Sequence, residues 1–148
     1  MTTSEMQQNV IQRFYDFPKP SIEPWFPEDM SKTNDEVLGQ LLTLYVKWKN
    51  YASQQVSFTD AELIILKEEI KFVEAQELIK LNEDKDLKRE YSAKDDRIAY
   101  VTQLPEVREK RKTISKLEAQ MKMEKSIYES FEDRYSAASR EITRRQSR

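Results

Sequence analysis

A seven-residue apolar repeat runs through the last third of the chain, and it constrains the fold more than any other feature. One row reads Val107, Ile114, Met121, Tyr128, Tyr135, Ile142, and the row between reads Lys110, Leu117, Glu124, Phe131, Ala138, Arg145. Nine of these twelve positions are apolar or aromatic, and no Gly or Pro follows Pro105. A period of seven keeps one seam of a helix turned toward a neighbouring helix. At ~1.5 Å per residue a helix from Pro105 to Arg145 is ~60 Å long, whereas a domain of this size has a radius of gyration of only ~15 Å. The long helix must therefore lie along another long helix, and the expectation is one from a second copy. Ile114, Leu117, Met121, Tyr128, Phe131, Tyr135, Ala138 and Ile142 are the expected oligomerisation residues.

The chain's single glycine, Gly39, points the same way. Strands need frequent turns and turns favour glycine, so the expected class is all-α. Its expected architecture is a helical hairpin followed by the long coiled-coil-type helix. The chain has neither cysteine nor histidine, which removes disulfides, thiolate chemistry, the commonest general base and the commonest transition-metal ligand. One glycine cannot build a phosphate-cradling loop. The carboxylates have the i,i+4 spacing of helix-surface pairs, as with Glu118 and Lys122. No catalytic residue, metal or cofactor is expected. No apolar run reaches the ~18 residues of a membrane span, and no membrane contact is expected.

Residues 1–30 differ from the rest. They hold four of the five prolines and five of the fifteen aromatics, in Phe14-Tyr15-Asp16-Phe17-Pro18-Lys19-Pro20 and Pro24-Trp25-Phe26-Pro27. Proline removes backbone donors and favours extended geometry, so this reads as an extended arm. It would pack on its own helices or a neighbouring subunit, or capture another protein. Residues 31–148 then read as one helical oligomerising domain. Thr33-Asn34-Asp35-Glu36 has capping-box spacing, ahead of Val37, Leu38, Leu41, Leu42, Tyr45, Trp48 and Ala52. Thr59-Asp60-Ala61-Glu62 repeats that start signal. The second helix carries Leu63, Leu66, Ile70, Val73 and Glu77 in one row, widened by Ile64, Ile65, Phe72 and Ile79. Residues 81–86 read as a helix end or hinge, Ser92 or Asp95 as a third start, and Pro105 as the first residue of the long helix.

Charge is segregated. Residues 60–86 carry nine acids and four bases, and residues 105–125 carry seven bases and four acids. Residues 134–148 carry Arg134, Arg140, Arg144, Arg145 and Arg148 against Glu141 alone. Cations near a helix C-terminus are favoured by the macrodipole. Repeated around a symmetric oligomer, they would form a basic rim able to hold a phosphate backbone. Pairing with the acidic 60–86 segment is the alternative.

The pattern Leu44-Tyr45-x-Lys47-Trp48-x-Asn50-x-x-Ser53 resembles the UvsY family of recombination mediators from T4-like phages. Glu74-Ala75-Gln76 and Ser139-Arg140 add to the resemblance, which covers about residues 30–145. It implies a non-enzymatic, ring-forming protein of the infected host's cytoplasm. Such a protein binds single-stranded DNA and helps a recombinase displace single-strand-binding protein. The family's basic Lys-Ala-Arg-Leu segment registers either on acidic 81–84 or, with a small insertion, on 87–90, where Lys88 and Arg89 match two bases. Single-strand binding needs a basic track and exposed rings for stacking. The candidate residues are Lys88, Arg89, Tyr91, Arg97, Arg108, Arg111 and Lys112, with Tyr100 beside Arg97. The alternative is a helical structural or adaptor component of a phage virion, connector or scaffold without nucleic-acid contact.

Overall fold

A computed structural model of the chain describes residues 19–147, together with Glu5, Gln8 and Gln12. Residues 14–18 of the expected arm lie outside the described residues. After a 3-10 turn at Met30–Lys32 come four α-helices: α1 (Asp35–Glu83), α2 (Lys85–Glu90), α3 (Lys94–Gln103) and α4 (Pro105–Gln146). No strand occurs among the described residues. The protein is all-α.

The helix starts differ in detail from those the sequence suggests. Asn34, not Thr33, caps α1: its Oδ1 accepts the Val37 amide at 2.8 Å. The Thr33 hydroxyl instead donates to the Asp29 carbonyl at 3.2 Å, closing the 3-10 turn. The expected break at Thr59 is absent, and α1 runs unbroken for 49 residues. Thr59 is buried, one heptad beyond the buried Ala52. With no Gly or Pro between Gly39 and Pro105, nothing interrupts the backbone hydrogen bonds, and a cap-like tetrad inside a continuing apolar stripe stays helical. At the other end of α1, Asp84 accepts the amides of Asp86 and Leu87 at 3.0 and 3.1 Å and so starts α2. Ala93, between the two expected starts, precedes α3 without a side-chain cap; Asp95 and Asp96 in the first turn complement the dipole instead. Leu104 is extended (φ −60°, ψ 138°), as the residue before a proline must be, and Pro105 opens α4 as expected.

Contacts divide the chain along a different line from the arm and single domain read from composition. One unit comprises residues 1–58 and 121–148, the other residues 59–120. In the first, Leu38, Leu41, Leu44, Tyr45, Trp48 and Ala52 of α1 form one core with Phe131 and Ala138 of α4. Tyr128, Tyr135 and Ile142 pack around it. Asp35 meets Arg145 and Trp48 meets Phe131, so α1 and α4 are antiparallel here. The second unit buries Ile70, Val101 and Val107, with Val73, Leu78, Tyr100, Leu104 and Ile114 against them. Its two long segments are antiparallel as well, with Lys67 beside Glu118 and Glu74 beside Arg111.

This arrangement gives the seven-residue repeat a helical neighbour within the chain. Val107, Phe131 and Ala138 are buried, and Lys110, Ile114, Leu117, Met121, Glu124, Tyr128, Tyr135, Ile142 and Arg145 are half-buried within the single chain. The long helix that the repeat requires is α1 of the same molecule. A heptad demands a helical neighbour; it does not demand a second copy.

Candidate nucleic-acid interface

The second unit gathers three of the predicted basic residues at one place. The turn at Leu104-Pro105 sets the end of α3 beside the start of α4. There Arg108, Arg111 and Lys112 line an open cleft of about 650 Å³ with Thr102, Gln103, Pro105 and Glu109. Within the cleft lining, Glu109 is the lone carboxylate. The Arg111 guanidinium donates to Glu74 of α1, and neighbouring Lys110 pairs with Glu69 at 3.6 Å. Arg108 and Lys112 take no ion pair among the described residues, so their charge is available to a ligand. Arg108, Arg111 and Lys112 lie within five residues of helix, which places their heads on adjoining turns.

The other predicted residues are distributed differently. Lys88 and Arg89 form the basic last turn of the six-residue α2; both are exposed and neither takes an ion pair among the described residues. Tyr91 is half-buried, and its ring lies 4.8 Å from that of Tyr100, tilted by 41°. Arg97 ties α3 to α1 by donating to Asn82 Oδ1 at 3.0 Å. Arg97 and Tyr91 therefore each make a contact within the unit. The cleft wall of Thr102, Gln103 and Pro105 was not foreseen. Pro105 signalled a helix start, and nothing in its neighbours marked a concavity.

In the first unit the terminal arginines bind the chain itself. Arg145 donates to Asp35 at 2.7 Å, to Glu141 at 2.9 Å, and to the carbonyls of Met30 and Ser31 at 3.2 Å each. Arg144 reaches the same Glu141 at 2.5 and 2.8 Å. Hydrogen bonds from Arg144 first, then Arg145, hold the Glu141 carboxyl down at about 2. Glu141 in return pushes the Arg144 guanidinium up, and Asp35, followed by Glu141, pushes up that of Arg145. The Arg134 guanidinium lies 3.5 Å from the centre of the Phe26 ring. Arg144 and Arg145 of the expected basic rim are thus neutralised in cis, by Glu141 and Asp35 rather than by the 60–86 segment. Arg140 alone of residues 134–145 keeps an exposed cation without an ion pair among the described residues. A contact 110 residues apart in sequence leaves no local signal by which it could have been read.

The large apolar and aromatic residues of the Leu44–Ser53 pattern are structural. Leu44, Tyr45 and Trp48 are buried. The Tyr45 hydroxyl donates to the Trp25 carbonyl at 2.7 Å, and Trp48 Nε1 donates to the Ile22 carbonyl at 2.8 Å. Phe26 stacks on Tyr45 with ring centroids 5.8 Å apart. Lys47 and Asn50 flank a cleft with Lys19, Pro20 and Ser21. Tyr45 and Trp48 therefore hold Ile22, Trp25 and Phe26 against α1.

Among the described residues no cluster of three or more acidic or other ligating side chains could hold a metal ion. No helix among them is long and apolar enough to cross a membrane. Compared with protein-family models, curated proteins and solved structures, the chain matches none.

Proposed function

We propose that this chain is a non-enzymatic recombination mediator that binds single-stranded DNA and helps load a recombinase onto strands covered by single-strand-binding protein. The supporting observation is the cleft of the second unit, where two unpaired cations and a third paired one converge beside the Thr102 hydroxyl and Gln103 amide. Cations of this kind hold phosphates without reading sequence, by releasing condensed counterions. The resemblance at residues 44–53 adds the biological setting, the cytoplasm of an infected bacterium.

Three phosphate contacts per chain correspond to a slope of about −2 in log affinity against log salt, at about −0.7 per contact for single strands. Anisotropy of a labelled oligothymidylate, titrated from low to moderate salt, measures that slope. Arg108→Ala with Lys112→Ala lowers it to about −0.7. Absence of binding at low salt, or a slope the double variant leaves unchanged, defeats the proposal.

A second reading, a structural or adaptor component of a virion, is favoured by one observation. Lys110, Arg111, Arg144 and Arg145 are all matched to carboxylates of their own chain, which leaves a weak outward field. The same titration separates the two.

A further inference from the structure

The single glycine of the chain stands where the fold gives no reason for it. Gly39 is exposed within α1, its φ is not positive, and a Cβ there would meet nothing within 4 Å. Glycine inside a helix is less favourable than alanine, so stability is given up with no packing need behind it. Bare helix backbone does serve one purpose, the close approach of a ligand. Gly39 lines an open cleft of about 410 Å³ together with Gln40, Thr43 and Lys47 of α1 and with Ile22 and Trp25 of the preceding segment. Gly39, Thr43 and Lys47 follow at four-residue steps and so share one face of the helix.

The other side of the cleft is fixed in place. The Tyr45 hydroxyl and Trp48 Nε1 hold the carbonyls of Trp25 and Ile22 at 2.7 and 2.8 Å, yet the Trp25 and Ile22 side chains stay 43% and 60% exposed. The indole is therefore a large apolar surface kept beside the cleft rather than spent in the core. The Thr43 hydroxyl donates to the Gly39 carbonyl at 3.2 Å, which leaves its lone pairs to accept. Lys47 is exposed and takes no ion pair among the described residues, and no carboxylate is among the described residues that line the cleft.

We propose that this cleft binds an adenine nucleotide, its ring laid between the Trp25 indole and the bare helix at Gly39, and its phosphate held by Lys47. An aromatic face stacks a base. The Gln40 amide offers a donor and an acceptor side by side, the pair that matches the edge of adenine. Lys47 supplies a point charge for the phosphate. The volume lies at the lower end of the ~300–1,000 Å³ of small-molecule sites, as suits one nucleotide. A methyl group on residue 39 would stand in the path of the ring, which gives the glycine its reason. The site belongs to the first unit and does not rest on the phosphate contacts proposed for the second.

The test is titration of the full chain with adenosine monophosphate to about 20 mM, followed at the Trp25 indole N–H signal by nuclear magnetic resonance; a saturable shift with a Kd of about 1 mM is expected. Gly39→Ala weakens binding at least ~10-fold, the usual effect of one added carbon in a fitted site, while the melting midpoint of the same variant rises. Lys47→Ala weakens it about 10-fold through loss of one charged hydrogen bond. Ribose 5-phosphate, which lacks the ring, binds at least ~5-fold more weakly. Arg108→Ala with Lys112→Ala leaves the shift unchanged, so this site and that of the second unit fail separately. In that double variant a short oligodeoxyadenylate separates the two sources of the ring: a Gly39-dependent shift at lower concentration than the mononucleotide requires marks a strand, and one at equal or higher concentration marks the free nucleotide. No saturation by about 20 mM overturns the proposal, as does wild-type binding by Gly39→Ala, or ribose 5-phosphate binding as well as the nucleotide.

Discussion

Replacing Phe131 with alanine tests the first unit at its centre. The ring is buried, stacked on Trp48 with centroids 5.9 Å apart and planes 21° apart. It also meets Phe26 at 6.1 Å and 41°. Withdrawing a large apolar side chain from a buried site costs ~1.5–3 kcal/mol in transfer free energy. Two ring–ring contacts add ~0.5–1.5 kcal/mol each at most. The cavity contribution is small, because Phe131 already walls an open cleft of about 310 Å³ with Trp48, Tyr51 and Ile127, and water can enter the space. The expected loss is therefore about 3–4 kcal/mol, within the range for buried Phe→Ala changes. With a urea m-value of ~2 kcal/mol/M, the midpoint falls by about 1.5–2 M. Urea titration followed by circular dichroism and tryptophan fluorescence measures it. Met123→Ala, at an exposed position on the same helix, serves as control and should change stability by less than ~0.5 kcal/mol. A loss below ~1 kcal/mol at Phe131 would refute the stacked core, since even the transfer contribution alone exceeds that.

Two further outcomes follow from local geometry. The Glu141 carboxyl is held at about 2, below its ordinary 4.5. Its contribution is therefore complete above pH 4.5 and is lost as pH falls through about 2. Melting midpoints of the wild type and Glu141→Gln should differ at pH 6 and converge toward pH 2; a difference that persists undiminished at pH 2 would contradict the Arg144–Glu141–Arg145 cluster. Gly39 lies inside α1 without a positive φ, and a Cβ there meets nothing within 4 Å. Gly39→Ala should thus stabilise the chain by about 0.5–1 kcal/mol, read from the same urea titration.

The sequence carried the class of fold and most of the helix punctuation in physically direct signals. One glycine excluded a turn-rich fold, and Pro105 marked the start of α4. The acidic run at residues 81–86 marked the end of α1 because Asp84 could cap what followed. Periodicity also singled out the α4 seam correctly. What it could not encode is the identity of the neighbour, because a seven-residue repeat specifies a helix and not a chain. Thr59 was misread for a related reason. A hydroxyl three residues before a carboxylate caps a helix only where the backbone leaves helical geometry, and local sequence does not record that the apolar stripe continues through it. At the candidate interface, clustering in sequence identified Arg108, Arg111 and Lys112. Pairing with Glu74 and Glu69 depends on the antiparallel register of α1 and α4, which only the fold reveals. Tyr91 had a polar sequence neighbourhood, yet Tyr100, nine residues on, covers it.

The most direct test of intramolecular pairing between α1 and α4 is dilution of the wild-type chain. Helical circular dichroism and melting midpoint should be the same at about 0.5 µM as at about 50 µM, because a unimolecular fold does not respond to mass action. Helicity that falls on dilution, or a midpoint that rises with concentration, would show that the α4 repeat is satisfied by another molecule after all.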